Sequence, residues 1–249
     1  MASDPVIELI NVSFAYNAKP VLENVNLTVS DKEFVWVVGP NGGGKTTLVK
    51  LLLGLLQPKS GTVRVFGDSA SSARRRIGYM PQQAHLDLRF PVTARDVVLM
   101  GRLNKGMTPG KFSGADREKV HEALELVGMD SMAATPLRDL SGGQQRRLLI
   151  ARALACEPDM LLLDEPTANL DRKAERELFK ILKKLNQRLT VIMISHDPAF
   201  VSDFVEQVVC VNRTVAVHPT TDRDREFIGE LYGDSLRMVR HDKHADGDQ

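Results

Sequence analysis

The run Gly39-Pro40-Asn41-Gly42-Gly43-Gly44-Lys45-Thr46-Thr47 satisfies the pattern G-x-x-x-x-G-K-[ST]. It stands where that pattern requires, between the apolar stretch Val35-Trp36-Val37-Val38 and a Leu-rich helical segment that ends near Leu56. Without side chains at Gly42, Gly43 and Gly44, backbone N–H groups can curl around an anion, and the helix N-terminus that follows adds unpaired donors and partial positive charge. Lys45 can reach terminal phosphates, and the Thr46 hydroxyl can ligate Mg²⁺. A plain Gly-rich turn would need neither Lys45 nor Thr46. The chemistry implied is the binding of a nucleoside triphosphate.

A second group of reactive types sits at Met160-Leu161-Leu162-Leu163-Asp164-Glu165-Pro166. A buried parallel strand should not end in two acids unless something positive compensates them, because unpaired buried charge is costly. Mg²⁺ is the natural counter-charge beside a phosphate loop: Asp164 would hold the metal through water, and Glu165, its side chain turned the other way, can polarise an attacking water. The plainer reading, an Asp-Glu helix cap, is weakened by the strong strand before it.

Three further stretches have two readings each. Leu140-Ser141-Gly142-Gly143-Gln144 feeds a helix from about Gln145 to Cys156, and is either an anion site at a helix N-terminus or simply a helix start with a Ser cap. Ser195-His196-Asp197-Pro198 follows the strand Thr190 to Ile194, read as the last of the core. Asp197 as N-cap with Pro198 after it explains part of that stretch, while His196 either is structural or contacts the terminal phosphate. Tyr16, in a turn Phe14-Ala15-Tyr16-Asn17, either packs in the core or stacks on a base, a contact worth about 1–3 kcal/mol.

The elements that must position these groups follow from periodicity. Strand-like runs occur at Ile7 to Ile10, Val25 to Val29, Thr62 to Phe66 and Arg76 to Met80, the last delivering Pro81-Gln82-Gln83 to the sheet edge where ligands sit in open α/β folds. From about Ala84 to Glu157 helical patterns dominate, Thr93 to Leu103 and Arg117 to Val127, separated by a Gly-, Pro- and Ser-rich loop, Lys105 to Gly114. A charged amphipathic helix spans Arg172 to Gln187. The expectation is one α/β fold: a phosphate-loop core of mixed and parallel sheet with an antiparallel β part and an inserted α-helical part. Its core covers about 1–84 and 158–219 within a single domain 1–219, the helical part about 85–157. The polar tail 220–249 is expected to be partly disordered, and its His241 and His244 carry no metal site on spacing alone.

Composition narrows the class. A net charge of +1 argues against a dedicated nucleic-acid binder, and the runs Arg74-Arg75-Arg76 and Arg146-Arg147 read as solvated or partner-facing surface. Two cysteines, Cys156 and Cys210, lack metal or redox spacing and read as buried thiols in a reducing compartment. No apolar run approaches the ~18 residues of a membrane span, so a cytoplasmic protein is expected, with any membrane role exercised through a partner.

Taken jointly, Gly39 to Thr46, Gln82, Leu140 to Gln144, Leu161 to Glu165, Asp171 and His196 resemble the ATP-binding cassette ATPases in order and spacing, over residues 6–218. The resemblance implies ATP and Mg²⁺ as cofactors. Tyr16 matches the adenine-stacking aromatic, Gln82 the residue linking Mg²⁺ and attacking water to a membrane partner, and His196 the switch histidine. Ser141 and Gly143 match positions that touch the γ-phosphate held by an opposite subunit. The implied cycle is ATP-driven head-to-tail closure of two copies on the cytoplasmic face of a membrane. They would be docked on permease subunits and coupled indirectly to an extracytoplasmic substrate-binding protein. Residues 87–93 and 96–102 are similar to the ATPase subunits of zinc and manganese importers, with iron-chelate or haem import as the alternative. A DNA-organising cassette would carry a long heptad coiled coil, and none is present. One departure from the pattern is Arg146, where the family usually has Gln.

Overall fold

A computed structural model describes residues 5–82, 90–103, 112–195 and 205–220. Strand β3 (Phe34–Val38) shows how its core is divided: Phe34, Trp36 and Val38 join one apolar cluster, Val35 and Val37 another. The same split recurs in β7 (Met160–Asp164), with Leu161 and Leu163 against Met160 and Leu162, and in β8 (Thr190–Ile194), with Val191 and Met193 against Ile192 and Ile194. A strand that buries both faces must be apolar throughout, which is why these segments read as unbroken hydrophobic runs.

Those strands form a six-stranded sheet, β10-β9-β3-β8-β7-β6, with β6 (Ile77–Met80), β9 (Gln207–Asn212) and β10 (Thr214–Pro219). Every pairing is parallel except that of β10 with β9. The parallel arrangement brings the carboxyl ends of β3, β6, β7 and β8 to one edge, so the residues leaving those strands converge. A second sheet, β2-β1-β4-β5, is antiparallel and contains β1 (Ile7–Tyr16), β2 (Lys19–Val29), β4 (Ser60–Val65) and β5 (Asp68–Ser69). Helix α1 (Lys45–Leu52) contributes Leu48, Leu51 and Leu52 to the cluster these two sheets share, and α2 (Ala70–Ala73) leads towards β6.

The other face of the six-stranded sheet is covered by α3 (Ala94–Leu99), α4 (Gly114–Leu126), α5 (Gly142–Leu154) and α6 (Arg172–Asn186). The first three lie between β6 and β7 in the chain, as an insertion of helices. Arg102, 6% exposed, ties them together: its Nε donates to Asp116 Oδ1 at 2.9 Å, and its Nη1 to Glu157 Oε2 at 2.9 Å and to the Ala155 carbonyl at 2.7 Å. The α/β class, with a mixed sheet, an antiparallel sheet and inserted helices, is the one expected from the sequence.

Four local expectations change. The turn expected over residues 14–17 is instead the end of β1, and the chain reverses at residues 17–18 because Asn17 takes φ 52°, a left-handed conformation that Asn tolerates. Helix α5 starts at Gly142, not near Gln145, since Ser141 caps it. The helix expected over 93–103 is shorter and finishes in a 3₁₀ turn, Met100–Arg102. Thr190–Ile194 is not the last core strand: β9 pairs with β3 on its other side, and Val208 and Val209 bury opposite faces, so β9 lacks the alternation that marks a half-buried strand. His196, Asp197 and Pro198, Gln83, residues 87–89, most of the loop 105–114, and His241 and His244 in the tail lie outside the described residues.

Candidate active site

Helix α1 begins directly after Gly44, whose φ of 110° suits glycine and which provides no side-chain cap. The first N–H groups of α1 are therefore left to a ligand. The loop rests on the turn between β9 and β10: Arg213 N–H donates to the Gly43 carbonyl at 2.9 Å, and a Cβ at Gly43 would come within 2.8 Å of the Val211 carbonyl oxygen. A side chain there would force the loop off its floor. Lys45 folds back under the loop, its Nζ donating to the carbonyls of Gly39 at 2.7 Å and Pro40 at 3.1 Å. Burial pushes its pKa down, opposed by the nearby carboxylates of Glu165 and Asp164.

Those two carboxylates are 5% and 6% exposed. Burial raises the pKa of Asp164, Glu165 raises it further, and Lys45 pulls it back. Tyr79, which pairs with Leu162 across the sheet and so shares the face of Asp164, has its phenol pushed up to about 12 by burial and then by the Asp164 charge. Just past the last sheet pairing, Asp164 with Ile194, Glu165 takes φ 52°; its N–H donates to Ile194 O at 2.9 Å, and its own carbonyl accepts the Ala168 N–H at 3.3 Å. That left-handed step turns its side chain away from the strand's alternation.

Asp164 and Glu165 place hard oxygen donors opposite the phosphate loop, and such donors fit a Mg²⁺ ion. Among the described residues no group of three or more His, Cys, Asp or Glu could form a closed metal cage. An open set of one or two carboxylates plus substrate phosphates is what Mg²⁺ commonly takes.

The site residues fall into two clefts. The first, about 300 Å³, is lined from the loop side by Pro40, Asn41, Gly42, Gly44, Lys45, Thr46 and Thr47, and from across by Gln82, Asp164 and Glu165. Tyr16 stands at its rim, 44% exposed, with its ring edge-on to Phe14 at 4.9 Å between centroids. Tyr16 is thus placed for a ligand and not in the core. Gly39 and Gly43 form the back of the loop against β9 and do not line this cleft.

The second cleft, about 330 Å³, is lined by Ser141, Gly142, Gly143, Gln144 and Asp171, together with Arg147 and Lys173. Ser141 and Gln144 form a reciprocal capping box, Ser141 N–H donating to Gln144 Oε1 at 2.7 Å and Gln144 N–H to Ser141 Oγ at 3.3 Å. Gly143 lets α5 approach α6, since a Cβ there would sit 3.1 Å from the Ala174 Cβ. Asp171 caps α6, accepting from the N–H groups of Lys173 and Ala174 at 2.8 Å each, and these two bonds hold its pKa below the ordinary carboxylate value. Neither the turn at 141–144 nor Asp171 reaches the phosphate-loop cleft of its own chain. His196 lies outside the described residues.

Val21 in the first cleft, Tyr79 behind Asp164, the β9–β10 floor and the contacts of Arg146 were not evident from motifs. For Tyr79 the signal was present in sheet register, which needs the pairing partner to be known.

A strand–loop–helix phosphate site facing a strand-end Asp-Glu pair, with helices inserted between β6 and β7, defines a P-loop ATPase of the cassette class. A family model described as ABC transporter matches residues 22–168. The chain belongs to this family and is an ATP-binding, ATP-hydrolysing member of it. It is 36% identical over 244 residues to the manganese transport system ATP-binding protein MntB of Bacillus subtilis, covering 97% of this chain and 98% of that one. It is 37% identical over 252 residues to the zinc import ATP-binding protein ZnuC of Pseudomonas savastanoi pv. phaseolicola, covering 98% and 88%. Among solved structures, a dimeric post-hydrolysis state of an ATP-binding cassette bound to ADP and Pi is similar at 32% identity with a TM-score of 0.70, covering 86% of this chain and 98% of that one.

Proposed function

We propose that this chain is the ATPase subunit of an importer for a divalent metal ion, zinc or manganese, working as a head-to-tail pair of copies docked on separate permease subunits at the cytoplasmic face of the membrane. The observation that carries the reading is the division of the site residues between two clefts of one chain. A phosphate loop in one and a signature turn in the other suit a nucleotide held between the first cleft of one copy and the second cleft of its partner. In that arrangement Lys45, Thr46 and the α1 N-terminus bind the phosphates, Tyr16 stacks on the base, and Ser141 and Gly143 of the second copy close over the γ-phosphate. A Mg²⁺ ion on Thr46, Gln82 and Asp164 would neutralise phosphate charge. Glu165 orients and polarises the attacking water, and His196 contacts the terminal phosphate.

The metal assignment is supported by the relatives, an ATP-binding protein of a manganese transport system and a zinc import ATP-binding protein. Docking is supported by the exposed apolar side chains Phe90, Met100 and Leu103 on the inserted helical part, 67%, 44% and 58% exposed. No helix among the described residues is long and apolar enough to cross a membrane. The substrate-binding protein would act through the permease, with no nucleic acid involved. Co-purification from the native host, followed by ATPase assays in liposomes, tests this: permease recovery with turnover stimulated by Zn²⁺ or Mn²⁺ is expected. Recovery of nucleic acid or ribosomes alone, or stimulation only by an iron chelate, would reject it.

A further inference from the structure

Adjacent arginines of α5 serve different clefts. Arg147 lines the cleft of the signature turn, whereas Arg146 points to the catalytic edge of its own chain. Its Nη1 donates to the Gln82 carbonyl and its Nη2 to the Ala168 carbonyl, each at 3.4 Å. Ala168 in turn donates its N–H to the Glu165 carbonyl, so the guanidinium grips the far end of the turn that Glu165 begins. Arg146 is partly buried, and the Glu165 carboxylate lies close enough to favour its charged form against that burial. A guanidinium is a rigid planar fork of donors and can span two carbonyls on separate loops; a lysine ammonium is a single point, and a glutamine amide offers one nitrogen.

We propose that Arg146 is a positioning residue for ATP hydrolysis: by bridging the Gln82 and Ala168 carbonyls it fixes the Gln82 segment and the 165–168 turn to the helix that begins with Ser141. Any shift of α5 when a second copy engages Ser141 is then passed to Glu165 within the same chain. The family pattern has glutamine here, whose single amide nitrogen does not offer the guanidinium's fork of donors. The inference rests on reading Gln82 and Glu165 as groups of the reaction.

The test compares full-length parent, R146A, R146K, R146Q and E165Q for ATP binding and for steady-state ATPase. R146A is expected to lose about 10-fold in kcat with KM for ATP within about twofold of the parent. R146K should fall with R146A, because charge alone does not bridge, and R146Q should lie between R146A and the parent. Parent-level kcat in R146A or R146Q, full recovery in R146K, or a KM that rises with the loss of kcat would each overturn the bridge. Should R146A fail to fold, R146K and R146Q decide. A silent E165Q beside an unimpaired R146A rejects the bridge alone; an active E165Q rejects the reading of Glu165 itself.

Discussion

Glu165 and Lys45 stand in the same cleft, yet removing their charges should do different things. Lys45 is half-buried under the loop and bonded to the Gly39 and Pro40 carbonyls, a position that suits the proposed binding of phosphate oxygens. Glu165 reaches the cleft from the opposite wall. Glu165→Gln keeps shape and hydrogen-bonding capacity while removing the proposed base, so ATP affinity is expected to stay within about twofold while turnover falls by about 10²- to 10⁴-fold. Calorimetric ATP titration beside a phosphate-release assay separates the two, and near-parent turnover would remove Glu165 from the reaction. At this scale the sequence was most informative where chemistry depends on short spacing. Gly39 to Thr46 and Asp164-Glu165 could be read directly. Tyr79 and Arg146 could not, because each acts on residues brought near only by sheet register and helix packing.

Among the elements, the inserted helices depend on a buried ion-pair cluster at Arg102. Asp116 has its pKa held down to about 2, first by the Ser113 hydroxyl and N–H and then by Arg102. A carboxylate whose folded pKa is depressed stabilises the fold above its ordinary value of 3.8 and loses that contribution as pH falls towards about 2. Thermal unfolding of the parent is expected to decline more steeply across that window than that of D116N, which starts lower and flatter. Equal slopes would show that the cluster does not control acid stability. The two were not legible as a pair, since Arg102 and Asp116 flank a long loop and no spacing links one to the other. Helix ends were legible only in part. Capping boxes at Ser113 and Ser141 set where α4 and α5 begin, and Gly142 and Gly143 lie inside a helix despite reading as a turn, because Ser141 Oγ accepts the Gln144 N–H and the Gln144 side chain accepts the Ser141 N–H.

For the whole molecule, the separation of the two clefts predicts complementation between damaged copies. A Lys45→Ala chain keeps its signature turn, and a Ser141→Arg chain keeps its phosphate loop. Each alone should fail to dimerise with ATP, whereas a mixture can form one intact composite site. Light scattering on an E165Q background should therefore detect an ATP-dependent dimer in the mixture only, and its absence there would contradict head-to-tail pairing. The α/β architecture was readable from the unbroken apolar runs of β3, β7 and β8. The pairing of β9 beside β3 was not, because a strand buried on both faces and arriving last in the chain offers no alternation and no motif.

The left-handed backbone at Glu165 sets heat resistance against turnover. A non-glycine residue at φ 52° is strained by about 1–2 kcal/mol, and here that strain coincides with a second buried carboxylate next door. Glu165→Asn would relax both, since Asn tolerates this conformation and carries no charge. For a chain of this length, about 1 kcal/mol raises the melting temperature by roughly 2–4 °C. A variant that no longer hydrolyses ATP should thus outlast the parent on heating, and a melting temperature at or below the parent's would show that the strain is relieved elsewhere. Selection for robustness alone would discard this glutamate, and the proposed role in hydrolysis accounts for its presence.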